Sequence, residues 1–170
     1  DAISALGTWN NPSSLDRVNG HWSPVVPIRD IGKAKATATL RSLLKDSAEV
    51  LSIEAIEAVG KLKDLELAAD LHDLSRNHKN SPEKRVAALR ALEQMKDSNL
   101  KATADSLSKD DASDVRLEAN RVLFSLSPET AEKRIAHILN TGEIPEKQLA
   151  LYALGSLPSE SSADTLVDWM

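Results

Sequence analysis

Apolar residues recur at the same helical positions in four segments of the chain. In each segment an apolar residue stands at the last position, another stands three residues before it, and an alanine stands four residues before that. The last residues are 33, 31 and 31 positions apart. This recurrence predicts a helical repeat in which alanine marks the closest approach of neighbouring helices. The segments are VLSIEAIEAVGKL (50–62), EKRVAALRALEQM (83–95), DVRLEANRVLFSL (114–126) and PEKQLALYALGSL (145–157), with the alanines Ala55, Ala88, Ala119 and Ala150.

A shorter helical pattern alternates with these segments. Its apolar residues recur at steps of three and four, as on one face of an α-helix, in residues 37–45, 65–76, 100–109, 130–140 and 162–170. Each repeat is therefore predicted to be a pair of antiparallel helices, a shorter A helix followed by a B helix. Short loops keep the two helices of a pair adjacent.

Polar residues and prolines at the joints predict where helices begin and end. Gly142 is a predicted left-handed stop after the pattern at 130–140. The predicted starts are hydroxyl N-caps at Ser81-Pro82 and Ser127-Pro128, and capping boxes at Asp46 with Glu49 and at Ser161 with Asp164.

Helix pairs of this length stack by burying the apolar face of one pair against the next. The pattern resembles the HEAT and HEAT-like (PBS lyase type) repeats over residues 30–170, as four units plus the first helix of a fifth. The resemblance implies an all-α fold, a right-handed α-solenoid of HEAT-like helix pairs with an irregular N-terminal loop segment. The W-x₂-L-G-x₂-Y pattern of tetratricopeptide repeats and the TPLH turn of ankyrin repeats do not occur in the sequence.

Residues 1–29 differ from the rest of the chain. AISALGTW (2–9) is similar to the tail of another B helix, whereas 10–30 is rich in turn formers that are unfavourable for a helix. Two interpretations are open for this segment. It is either a loop that caps the first repeat, or a ledge on which a neighbouring domain docks through Trp9, Arg17 and Trp22, since tryptophan and arginine anchor interfaces.

The same segment carries a second resemblance. WNNPSSLDRVNGHW followed by PIRD is similar to a stretch of large exported bacterial proteins that join a sugar-dehydrogenase-like propeller, a HEAT-like region and a c-type haem domain. The resemblance implies an exported or periplasmic protein of which this chain is a fragment. Neither a propeller nor a CxxCH haem motif is present here. The matching residues are Trp9, Pro12, Asp16, Arg17, Gly20 and Trp22.

Composition narrows the classes of partner. Aromatic residues make up 3% of the chain, so its core must be aliphatic. A net charge of −5 argues against nucleic acid, since phosphate binding favours a basic surface. No apolar run approaches 18 residues, so we expect no membrane insertion. A monomer that binds protein, either another domain or a separate chain, is the expected state.

Side chains that carry chemistry are scattered. The four histidines have no HExxH spacing, and the chain lacks cysteine, phosphate-binding loops and GxSxG elbows. Asp110, Asp111 and Asp114 resemble part of a calcium loop, but glycine and a closing glutamate are missing, which favours an acidic cluster at a helix N-terminus. We therefore predict no catalytic, cofactor-binding or metal-binding residues.

The B helices share one polar row, five residues before the last position of each segment. It consists of Glu57, Arg90, Arg121 and Tyr152. The row is either a solvated face or a surface that grips a polypeptide, for which arginine and tyrosine are typical. The expected function is a non-catalytic scaffold. The alternative is the linking region of a modular haem-containing dehydrogenase, and a lyase-like enzyme is a third possibility without a supporting set of residues.

Overall fold

A computed structural model describes residues 2–7, 15, 20–22, 33–46, 48–156, 167 and 169. This part of the chain is helical apart from turns and one isolated antiparallel bridge, Leu15 to Trp22, and the predicted all-α class is confirmed. The helices are α1 (Ala2–Gly7), α2 (Lys33–Leu44), α3 (Glu49–Leu62), α4 (Ala68–Arg76, preceded by a 3₁₀ turn at Leu65–Leu67), α5 (Pro82–Met95), α6 (Leu100–Leu107), α7 (Ser113–Leu126), α8 (Pro128–Thr141) and α9 (Ile144–Ser156).

The four aligned segments coincide, within one residue at each end, with the B helices α3, α5, α7 and α9. The predicted A helices α2, α4 and α6 are shorter than the B helices that follow them, but this prediction is wrong for α8, which has 14 residues against 13 in α9. The recurring alanine is buried, because the exposed fraction is 0% at each of Ala55, Ala88, Ala119 and Ala150, whereas its place at the closest approach of neighbouring helices stays a prediction. The apolar residue four positions later is buried in every case as well: Val59, Leu92, Leu123 and Leu154. The sequence repeat is thus a repeat of packing environments.

The chain forms two compact units, Asp1–Leu100 and Lys101–Met170. In the first, α2 packs on α3, α4 packs on α5, and the B helices α3 and α5 pack on each other. In the second, α8 packs on both α7 and α9, and these two B helices are again in contact. Stacking of all the pairs into one right-handed solenoid stays a prediction, as do the domain bounds 1–29 and 30–170.

Successive B helices of the first unit touch through small residues. A Cβ atom added to Gly60 of α3 would lie 2.9 Å from the Cα of Ala91 in α5. One added to Gly7 of α1 would lie 3.0 Å from the Cα of Ala58 in α3. Both contacts therefore bring helix backbones together where a side chain would not fit. The helix predicted from AISALGTW packs on α3 in the same way as α3 packs on α5.

One predicted helix start holds in detail, and one holds in part. Ser81 accepts a hydrogen bond from the Lys84 N–H at 3.2 Å, with Pro82 at the first helical position. α8 also begins at the predicted proline, but the Ser127 hydroxyl makes no capping hydrogen bond to a backbone N–H of α8. Ser127 is at the same time the residue that ends α7, where its N–H donates to the Leu123 carbonyl, and this shared role leaves its backbone outside the N-cap conformation.

Two other predictions at the joints are wrong. Asp46 accepts from the Ala48 N–H at 2.8 Å instead of capping α3, and Glu49 accepts from the Ser81 hydroxyl, so the two do not form a capping box. Gly142 has an extended backbone at φ −74°, not a left-handed one. The capping box predicted at 161–164 lies outside the described residues.

The left-handed stops are instead Lys63 and Lys96, at φ 53° and 56°. Each is followed by an aspartate whose backbone N–H bonds to the last turn of the helix, as in a Schellman motif. The carboxylates then link the A helices. Asp64 accepts from the Thr37 hydroxyl on α2, and Asp97 pairs with His72 of α4 at 2.9 Å.

A second recurring bond joins the two helices of three pairs. Near the start of the B helix, one side chain donates to a backbone carbonyl at the end of the preceding A helix or, for α6, in the loop just after it, where carbonyls lack intrahelical partners. Three B helices show it: Ser52 to the Leu44 carbonyl at 2.8 Å, Arg85 to Ser75 at 2.9 Å and Arg116 to Asp110 at 2.9 Å.

Gly60 and Gly155 allow a matched test of the close contact, because they occupy equivalent positions in α3 and α9. We expect Gly60→Ala to lower the free energy of unfolding by about 1 kcal/mol, since the clash with Ala91 outweighs the gain in helix propensity. We expect Gly155→Ala, where no atom of the described residues lies within 4 Å of the new Cβ, to raise it by about 0.5 kcal/mol. Urea unfolding followed by circular dichroism measures both, and changes of the same sign would contradict the packing.

Candidate functional site

Two members of the predicted polar row line a groove between α3 and α5 in the first unit. Glu57 lies on the α3 side of this groove of ≈ 410 Å³ and Arg90 on the α5 side. We call it the α3/α5 groove. Its remaining lining residues are Ile53, Lys61, Glu83, Val86, Ala87, Ala91 and Gln94.

The other two members of the row line a groove between α7 and α9 in the second unit. Arg121 lies on the α7 side of this groove of ≈ 330 Å³ and Tyr152 on the α9 side. We call it the α7/α9 groove. Its remaining lining residues are Phe124, Ser125, Ala131, Leu149, Ala153 and Ser156.

The two grooves are built from equivalent positions. The first B helix of each pair contributes the positions five and one before its last position, which are Glu57 and Lys61 in α3, and Arg121 and Ser125 in α7. The second contributes four equivalent positions: Ala87, Arg90, Ala91 and Gln94 in α5, and Leu149, Tyr152, Ala153 and Ser156 in α9. The repeat in the sequence therefore produces the same concave site twice.

The chemistry of the two grooves differs. The α3/α5 groove carries both acidic and basic side chains. The Lys61 Nζ atom lies 3.6 Å from the Glu57 Oε2 atom, one helical turn away. The α7/α9 groove has an apolar floor that includes Phe124, only 9% exposed, and its lining also includes Tyr152, which is 77% exposed. A polar surface suits charged partners, whereas an apolar pocket with a polar rim suits a large apolar side chain.

Arg121 is held at the rim of the α7/α9 groove by its own helix. Its Nε and Nη2 atoms lie 3.0 and 2.9 Å from one carboxylate oxygen of Glu118, a residue buried one turn earlier. A buried carboxylate fixes the guanidinium more firmly than a solvated one would. The guanidinium, whose side chain is 40% exposed, is thus held at the rim of the groove with its charge balanced by Glu118.

Of the three loop residues predicted to dock a partner, the structure describes Trp22, which does not line the α3/α5 groove. Trp9 and Arg17 lie outside the described residues. Trp22 is 71% exposed and pairs with Leu15 through the isolated bridge. A side chain this exposed is compatible with the docking interpretation, and both interpretations of the segment stay predictions.

His72 and the aspartate cluster have structural surroundings. His72 is buried against Asp97, whose carboxylate also accepts from the Asn99 N–H at 2.8 Å. Asp110 accepts from the Ala112 N–H just before α7, as expected for an acidic cluster at a helix start. Within the described part of the chain, no group of three or more His, Asp or Glu side chains could hold a metal ion.

Arg116 forms an ion-pair network that the sequence did not reveal. It bonds to Glu146 at 2.9 Å and to Glu143 at 2.8 Å, joining the starts of α7 and α9. Glu146 also accepts from the Glu143 N–H at 2.8 Å and so caps α9. The network borders a polar cleft in which Arg134 is already paired with Asp105 at 2.8 Å, so the cleft's two arginines are used internally.

The network shifts two pKa values. The hydrogen bond to Glu146, together with the charges of both glutamates, raises the pKa of Arg116 above its ordinary value despite burial. Burial alone would raise the pKa of Glu146, but the hydrogen bonds from Arg116 and from the Glu143 N–H lower it below its ordinary value of 4.5. Both shifts favour the charged forms in the folded state.

Comparison of the chain with protein-family models, with curated proteins and with solved structures gave no match. Among the described helices, none has the length and apolar character needed to cross a bilayer.

We expect acid to weaken the protein partly through Glu146. Because its folded pKa is lowered, its contribution is complete above about pH 4.5 and is lost as the pH falls through the folded value. Wild type should therefore lose more stability between pH 6 and pH 3 than Glu146→Gln, as measured by urea unfolding at each pH. In an Arg116→Gln background this difference should shrink, and parallel curves for wild type and Glu146→Gln would contradict the network.

The groove residues should separate into those that hold the fold and those that are free for binding. Phe124→Ala should lower the free energy of unfolding by about 3 kcal/mol because it empties a buried position. Tyr152→Ala should change it by less than about 0.5 kcal/mol because the ring is exposed. Thermal unfolding of the two variants tests this, and a large loss for Tyr152→Ala would assign that ring to the core.

Proposed function

We propose that this chain is a non-catalytic, HEAT-like helical-repeat scaffold that binds polypeptide through the grooves between successive B helices. The fold would be a right-handed α-solenoid, and the partner is another domain of the same polypeptide or a separate protein. No cofactor takes part in this function.

One observation carries the proposal. The row Glu57, Arg90, Arg121 and Tyr152 lines two grooves built from equivalent positions of equivalent helices. Repeat proteins bind extended partners by presenting one kind of concave site several times. Variation of the lining residues then lets each site select a different part of the partner.

The α7/α9 groove is the stronger anchor of the two. Its apolar floor and ≈ 330 Å³ suit one bulky apolar side chain, while Arg121 and Tyr152 are residue types that dominate binding energies at interfaces. The α3/α5 groove, with Glu57, Lys61, Glu83 and Arg90, adds charge selection.

The exposed Trp22 favours a second, compatible candidate. A tryptophan ring that is 71% exposed on an irregular segment suits docking of a neighbouring domain. The chain would then serve as the linking region of a modular haem-containing sugar dehydrogenase, exported from the cell, with the catalytic parts elsewhere in the polypeptide.

Selection of peptides from a displayed random library against the wild-type chain tests the scaffold function. Selected peptides should carry a bulky apolar residue, and their Kd should rise at least about tenfold with Arg121→Glu combined with Tyr152→Ala. Arg90→Glu should weaken those peptides that carry acidic residues, since it reverses the charge they meet.

Lys79→Glu, a charge reversal in the exposed loop between α4 and α5, is the matched control and should leave every Kd unchanged. Peptides that bind the groove variants as tightly as wild type would contradict the proposal. So would a selection that yields no binder above background.

A further inference from the structure

One face of α9 exposes apolar residues in line. Ile144 is 74% exposed and Leu151 is 36% exposed, and Gly155 lies one further turn along the same side of the helix. No atom of the described residues lies within 4 Å of the place that a Gly155 Cβ would occupy. This face is distinct from the apolar floor of the α7/α9 groove, which lies on the side of α9 that meets α7.

The equivalent face of α3 is covered by a helix. Ile56, the counterpart of Leu151, is completely buried, and Gly60, the counterpart of Gly155, lies against Ala91 of α5. Leu89 of α5, at the same position as Ile56, is also completely buried. The positions that α9 exposes are therefore positions that the fold elsewhere buries.

The register of this contact is fixed by two examples. Gly60 meets Ala91, and Gly7 meets Ala58. In both cases the glycine stands two positions before the end of the repeat segment, and the alanine stands four positions before the end of the next one. Gly155 occupies the glycine position of α9, within the triplet Ala-Leu-Gly at 153–155 that parallels Ala-Val-Gly at 58–60.

We propose that this face of α9 binds an α-helix of a partner protein, with an alanine of that helix against Gly155 and apolar side chains over Leu151 and Ile144. The argument is continuity with the established contact, since α9 repeats the surface by which α3 receives α5. Charge selects little here, because the charged residues of α9 are Glu146, already paired with Arg116, and Lys147. The bound helix can approach closely because Gly155 has no side chain to cover the backbone of α9, as Gly60 has none to cover that of α3.

The absence of cysteine from the chain permits a direct trap. The probe is a peptide of residues 82–95, the helix that covers Gly60, carrying Ala91→Cys. Mixed with the Gly155→Cys protein in a glutathione redox buffer, it should form a mixed disulfide at least about ten times more abundant than that with Lys79→Cys, an exposed control. A control peptide that carries Arg90→Cys and keeps Ala91 should form less mixed disulfide with the Gly155→Cys protein than the Ala91→Cys peptide does. Leu151→Cys, on the same face, provides a second trap should Gly155→Cys lower the helix content.

Three results would overturn the proposal. Equal yields for Gly155→Cys and Lys79→Cys would mean that the helix is not recognised. A Gly155→Cys protein that mainly forms dimers would assign the face to a second copy of this chain. A Gly155→Cys thiol that resists a small maleimide while Lys79→Cys reacts would mean that the face is already covered by the chain itself.

Discussion

The packing of the B helices in the first unit depends on small residues at the points where the helices cross. Gly60 against Ala91 and Gly7 against Ala58 bring pairs of helix backbones into contact, and the four recurring alanines are completely buried. At such crossings dispersion forces act over many atoms at once, and a single added methyl group cannot be absorbed without moving a helix. The α3/α5 groove lies beside this contact, because Ala91 and Gln94, which meet Gly60, also line the groove.

The polar joints set the orientation of the helices within each unit. Side-chain donors near the start of three B helices bind carbonyls at or just after the ends of the preceding A helices, and Asp64 and Asp97 each tie an A helix to the loop after its B helix. Within the described residues, no buried side-chain nitrogen or oxygen lacks a hydrogen-bond partner. Unmet buried polar groups are costly, so these joints fix the geometry that the apolar contacts alone would leave adjustable.

The B helices and their buried alanines could be predicted because helical periodicity and burial follow directly from sequence position. The joints could not, because one residue can serve two helices. Ser127 ends α7 and therefore cannot cap α8, and the left-handed stops fall on Lys63 and Lys96, residue types without a strong preference for that conformation. Periodicity predicts that the polar row lies on one face of the B helices. It does not predict which buried side chains line the space between two helices, so the apolar floor that includes Phe124 could not be predicted. Arg116 was missed because its partners lie 27 and 30 residues away.

The close contact between B helices can be measured without altering the chain. A ¹³C-edited nuclear Overhauser experiment on the wild-type protein should show cross-peaks from the Gly60 Hα protons to the Ala91 methyl group, and from the Gly7 Hα protons to the Ala58 methyl group. Both pairs of atoms lie well within the distance at which such peaks are observed. If the helices fold but both cross-peaks are absent, the B helices do not meet through their small residues, and the account of the repeat and of its grooves is wrong.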